Sequence, residues 1–249
     1  MHKKYTNIGE HLIEVQTDSA TLMNMFADEF HCIKNKPDRP ANMTIHIYGG
    51  YGNVLEQSHS TISQLDGKYI IRHHDYLVDI ADDYRSARLY VYNRHALKKA
   101  FFDLYSMYII FYGWGMMMEG KLEADKDRTI AVFGDPIGDE KDAEERHVLI
   151  SIKHGRAMAF PLSLFRTGLS KSEALPLQEI RLVRPSIDNR LVKMGKVGAV
   201  IRLIDFVQFW PVKPGQMKTL IGLLKQLVAD TPVYQWQTNG EPLTDQMIS

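Results

Sequence analysis

Residues 129–142 read TIAVFGDPIGDEKD. The run at 129–134 is short, apolar and β-branched, and it empties into a Gly/Pro loop, as a strand does before a binding loop. A phosphate loop reads G-x-x-x-x-G-K-[ST] between a strand and a helix. Its glycines let backbone N–H groups cradle phosphate, its lysine reaches the outer phosphates, and its hydroxyl holds the metal. Gly134, Gly138 and Lys141 fall in with that pattern. Glu140, however, stands where a glycine should precede the lysine, and Asp142 replaces the hydroxyl residue. From 135 to 145 the loop carries six acids (Asp135, Asp139, Glu140, Asp142, Glu144 and Glu145) against Lys141 alone. A carboxylate about 4 Å from a phosphate charge costs about 1 kcal/mol in bulk water and about 4 kcal/mol at an effective dielectric near 20. Several such terms outweigh one lysine. The expectation is therefore a solvated acidic loop, a phosphate-loop remnant (Gly134, Asp135, Pro136, Gly138, Lys141 and Asp142) that rejects an unchelated triphosphate.

Upstream of this loop, residues 43–48 (MTIHIY), 68–72 (KYIIR), 76–80 (YLVDI) and 88–92 (RLYVY) predict short strands of a small, mostly antiparallel sheet. Residues 95–112 predict a long helix, with Leu97, Phe101, Leu104, Met107 and Tyr108 on one stripe and Gly113 as its stop. The methionine run at 116–118 reads as the buried exit of that helix. Downstream, 147–153 and 156–160 predict a hairpin, and 177–183 a strand. Residues 197–210 predict an amphipathic helix stopped by Pro211, 215–230 a second helix, and 231–236 a closing strand. The fold class is α/β or α+β. A β-rich region (1–94) precedes a core (95–249) with C-terminal helices.

Composition narrows the function classes. The 249 residues hold 30 Lys+Arg and 30 Asp+Glu, so the formal net charge is zero. That argues against broad electrostatic adhesion to nucleic acid or to anionic membrane. The uncharged run at 104–118 is shorter than the roughly 20 residues a bilayer span requires. The opening MHKKYTNIGEH has no apolar signal region. A single cysteine, Cys32, excludes an internal disulfide and a cysteine zinc cage. The expectation is a cytoplasmic protein.

Beyond the loop, the layout resembles the HPr kinase-related family, whose kinase domain is a P-loop fold akin to phosphoenolpyruvate carboxykinase. In bacterial members a β-rich region and a helix precede an L-H-A-S-A-V stretch, a strand and G-P-S-G-x-G-K-S-T. Here MMMEGKL (116–122) stands in the place of the first motif and TIAVFGDPIG (129–138) in the place of the second. LPLQEIRLVRPSIDNRLVKM (175–194) is similar to the family's P-L-x-x-I-x-x-L strand and its adjoining segment, and TPVYQW (231–236) to its closing V-P-V-Y strand. The resemblance implies an HPr-kinase-like core. The departures imply loss of catalysis: no histidine lies in 116–122, the loop lacks its glycine and hydroxyl, and HVLISIKHG (147–155) supplies no Asp for a metal-binding acidic pair.

The remaining clusters are bland in sequence. His73, His74 and Asp75 are consecutive, and neighbours on a strand face opposite sides, so no chelating pair is expected. His31 and Cys32 sit in no nucleophile signature. Neither a metal set nor a cofactor is expected. One asymmetry stands out: Arg181, Arg184, Arg190, Lys193, Lys196 and Arg202 face only Asp188 between 181 and 202. This is a basic edge that could serve an anion, a partner or the acidic loop. The expected function is that of a catalytically inactive, HPr-kinase-like binding or regulatory protein acting on a protein or peptide partner, itself included. The alternatives are a divergent serine kinase or phosphotransferase with a non-standard phosphate site, and an unrelated α+β binding protein.

Overall fold

The computed structural model describes residues 1–35, 37–52, 61–65, 67–125, 128–134, 147–153, 155–161, 174–209 and 213–238. The protein is α+β. Its chain divides within the second helix into two compact units, one built mainly of Met1–Tyr108, the other of Ile109–Leu162 and Glu173–Ser249.

Among the described residues, the first unit is a seven-stranded sheet with order β1 (His2–Ile8), β2 (His11–Thr17), β3 (Met43–Gly49), β7 (Ser86–Val91), β6 (Tyr76–Ile80), β5 (Lys68–Arg72) and β4 (Thr61–Leu65). The sheet is mixed. β3 runs parallel to both β2 and β7, and the other ladders are antiparallel. The first parallel pair follows from the crossover through α1 (Ala20–Glu29), which returns the chain in the direction it left. Ser19 starts α1 by accepting the Leu22 N–H on Oγ at 3.3 Å. The strands alternate as a half-buried sheet should: Met43, Ile45 and Ile47 are buried, and the residues between them are partly or fully exposed. An aromatic cluster joins α1 to the long helix α2 (Arg94–Phe111), with Phe30 stacked on Phe26 at 4.7 Å and packed on Phe101 at 4.4 Å. Each fully buried ring of this kind is worth roughly 1.5–3 kcal/mol. Asn93 caps α2 by accepting the Ala96 N–H at 2.9 Å, and Gly113 ends it at φ +65°, where glycine meets no Cβ penalty.

The second unit holds β8 (Gly115–Glu119), β9 (Lys121–Asp125), β10 (Arg128–Phe133), β11 (His147–Lys153), β12 (Arg156–Pro161), β13 (Leu175–Pro185), β14 (Arg190–Lys193), α3 (Lys196–Ile204), α4 (Pro214–Asp230) and β15 (Val233–Thr238). Among the described residues its eight strands run β14-β15-β13-β12-β11-β8, with β10 and then β9 branching from β13. The long strand β13 is the spine. Its start pairs with β12, its middle lies parallel to β10, and its end lies parallel to β15. Three strands, β10, β13 and β15, therefore point the same way. Among the described residues no helix is long and apolar enough to cross a membrane.

Two local expectations are corrected here. Met116–Met118 belong to buried strand β8, paired with β11, and not to a helix exit. The helix expected over 197–210 ends at Ile204. The cause is tertiary: Glu119 N–H donates to Phe206 O at 2.8 Å and Gln208 N–H to Met117 O at 2.9 Å. Chain that periodicity would keep helical is thus drawn along β8.

Candidate functional site

β10, β13 and β15 end at one edge of the second unit. In open α/β sheets, ligands bind beyond the carboxyl ends of parallel strands, where backbone and loops converge. A hollow of about 330 Å³ opens there. Leu182, Val183 and Arg184 of β13 line it, with Gln235 of β15, Met194, and Arg202 and Asp205 from the end of α3. Phe206 completes the wall, and its ring stacks on Phe133 at 5.7 Å.

The chain leaves β10 at this edge. Gly134 follows Phe133 at φ +111°, and a Cβ there would lie 2.6 Å from the Val183 carbonyl oxygen. Only glycine fits that close approach without moving backbone. Gly134 thus roots the loop against a residue of the hollow. Asp135, Pro136, Gly138, Lys141 and Asp142 lie outside the described residues.

The basic stretch separates into distinct roles. Arg181 is buried, and its Nε donates to the Glu179 carboxylate at 2.6 Å, so it serves a structural ion pair. Arg128 reaches the other Glu179 oxygen at 3.5 Å. Arg190 donates from Nε to Gln237 Oε1 at 2.6 Å, on the edge ladder between β14 and β15. Lys193 is exposed one strand away from the hollow. Lys196 donates to the Ala229 carbonyl at 2.9 Å, against the last turn of α4. Arg184 and Arg202 differ from these. Both line the hollow, both are exposed, and neither has a hydrogen-bond or ion-pair partner among the described residues. With Asp205 the charged lining sums to +1, as +2 from the arginines and −1 from the aspartate. Two guanidinium forks offer planar, bidentate recognition of one carboxylate or phosphate. In sequence, Arg181, Arg184, Arg190 and Lys193 form the more compact anion surface, and Arg202 stands apart from them. Its i+3 spacing to Asp205 on one helix is the signal that places both side chains on one face.

The first unit carries a second polar cluster. His73, His74 and Asp75 form the turn between β5 and β6, closed by the His73 N–H donating to Tyr76 O at 2.8 Å. Alternation between opposite faces holds for a strand, and a turn removes it. One donor atom from each residue lies within 4.8 Å of the others. His73 Nδ1 is hydrogen-bonded to Asp75 Oδ1. Lys99 Nζ stands 3.3 Å from His73 Nε2, which makes Nε2 the acceptor and Nδ1–H the donor to the carboxylate. Tyr76, stacked on His73 at 4.7 Å, is hydrogen-bonded to buried Asp103. His31 and Cys32 do not form a catalytic pair: the Cys32 thiol donates to the Phe30 carbonyl at 3.4 Å, and burial raises its pKa, which disfavours thiolate.

No protein-family model matches the chain, and no curated protein matches it. The function therefore rests on the geometry alone.

Proposed function

We propose that the protein is a non-catalytic, cytoplasmic binding module that captures an anionic group of a protein or peptide partner, a second copy of the chain included. The capture site is the hollow at the ends of β10, β13 and β15. One observation carries the reading: two guanidinium groups, Arg184 and Arg202, line the same hollow with no partner among the described residues. Such arginines at a site rimmed by Phe206, Leu182 and Gln235 combine charge, apolar surface and an amide that can donate or accept. The charged lining of +1 suits a single phosphate or carboxylate and leaves most of a triphosphate's charge unmatched.

The test is fluorescence anisotropy with a labelled phosphoserine peptide, its unphosphorylated form and ATP–Mg. The phosphopeptide should bind saturably and weaken with salt. Arg184→Ala or Arg202→Ala should each cost at least about tenfold, because a hydrogen bond to a charged group contributes about 1.5–3 kcal/mol. Micromolar affinity for ATP–Mg, or phosphate transfer abolished by Lys141→Ala, would overturn the proposal in favour of a divergent phosphotransferase.

A further inference from the structure

We infer that the His73–His74–Asp75 turn of the first unit is a binding site for a borderline divalent transition-metal ion such as zinc. The donor set is two imidazoles and one carboxylate. That chemistry suits Zn²⁺, Ni²⁺ or Co²⁺, and it is poor for Mg²⁺ and Ca²⁺, which demand oxygen. Three observations converge. The donors lie within 4.8 Å of one another on three consecutive residues. The side chains of His73 and Asp75 are only 10% and 11% exposed, so two ligands are already withdrawn from water. His74 Nε2 lies 4.0 Å from Asp75 Oδ2, and His74 Nδ1 is buried with no hydrogen-bond partner among the described residues. A buried ring nitrogen left unmatched is costly, and a cation bound through it would remove that cost.

The geometry is near, not complete. Donors around a tetrahedral zinc are about 3.4 Å apart, from bond lengths near 2.1 Å. The widest separation must therefore close by at most about 1.4 Å, a change within reach of side-chain torsions on a turn. The backbone is held: Tyr92 N–H donates to Asp75 O at 2.9 Å, and a Cβ on Gly52 would come within 2.7 Å of His74 O. Three protein donors leave a fourth position for water.

Lys99 sets the competition. Its ammonium donates to His73 Nε2, which fixes the proton on Nδ1, between the ring and Asp75. A metal at Nδ1 displaces that proton, which passes through solvent to Nε2, and the Nε2–H that results turns Lys99 away. Lys99 is thus a built-in antagonist that weakens metal binding.

The experiment is calorimetric titration of the untagged full chain with zinc chloride, with magnesium chloride as the control and circular dichroism as the check of fold. One zinc per chain should bind with micromolar affinity, and magnesium should not. His74→Ala and Asp75→Asn should each weaken zinc at least tenfold. Lys99→Met should tighten it several-fold, an effect that a purely structural lysine would not produce. The inference fails if the folded parent takes up no zinc saturably below millimolar, or if His74→Ala and Asp75→Asn bind zinc as the parent does.

Discussion

Acid should unfold the protein in part through one residue, His11. The residue is 8% exposed, and its ring packs edge-on against Tyr105 and Tyr108, with centroids 5.8 and 5.2 Å apart. Tyr105 donates its hydroxyl to the Ile8 carbonyl at 2.9 Å, so the same oxygen accepts from His11 Nδ1–H, also at 2.9 Å. Burial, and after it the charge of Arg39, lowers the pKa of His11 from 6.5 to about 4. The imidazolium is thus disfavoured in the folded state, and the unfolded chain binds the extra proton. Stability is at its full value above about pH 6.5 and is lost as pH falls towards 4. With these two pKa values the loss between pH 7 and pH 5 is about 2 kcal/mol, out of about 3 kcal/mol for the complete transition. Asparagine can keep the donor to Tyr105 and does not titrate. Urea unfolding of parent and His11→Asn at pH 7 and pH 5 isolates the term, because other acid-labile groups cancel. The parent should lose about 2 kcal/mol more than the variant over that range. Equal losses would refute a neutral, desolvated His11.

Gly134→Ala should destabilise the second unit by about 2 kcal/mol or more, since its Cβ would lie 2.6 Å from the Val183 carbonyl at a positive φ. Thermal unfolding checks this, and unchanged stability would show that the loop root is not so confined. Arg181→Ala should cost about 3 kcal/mol by urea unfolding, because it strips the buried Glu179 carboxylate of its nearer partner. Arg184→Ala, three residues along the same strand, should shift stability by less than about 0.5 kcal/mol in the same assay, since its side chain pairs with nothing described.

The sheets were legible where local signals agree. Alternation and β-branched residues placed β3, β5, β6 and β7 within a residue or two, and Gly113 marked the end of α2. The class α+β follows from these. The opening elements carry weaker signals. β1 mixes lysines and Asn7 with its apolar positions, and β2 buries Gln16 and Thr17, so neither reads as a clean strand. Met116–Met118 are buried without periodicity, and such a run does not separate strand from helix. The early stop of α3 is set by pairing with β8, about 90 residues earlier in sequence, which no local window contains. At the site, charge counting marked the 181–202 stretch but could not sort it. Arg181 and Arg184 fall on opposite faces of β13 by strand alternation, and only Arg184 opens to the hollow. Arg202 joins it from α3, and that convergence belongs to the tertiary fold.

The proposed function turns on Arg184 and Arg202 receiving one anionic ligand group together. Arginine Nε–Hε resonances, followed by NMR as the phosphoserine peptide is titrated into labelled protein, report on this side chain by side chain. The Arg184 and Arg202 signals should shift together and saturably, while Arg181, bonded to Glu179, and Arg190, bonded to Gln237, hold still. Shifts confined to Arg190, or a peptide that binds while both hollow arginines stay unmoved, would contradict it.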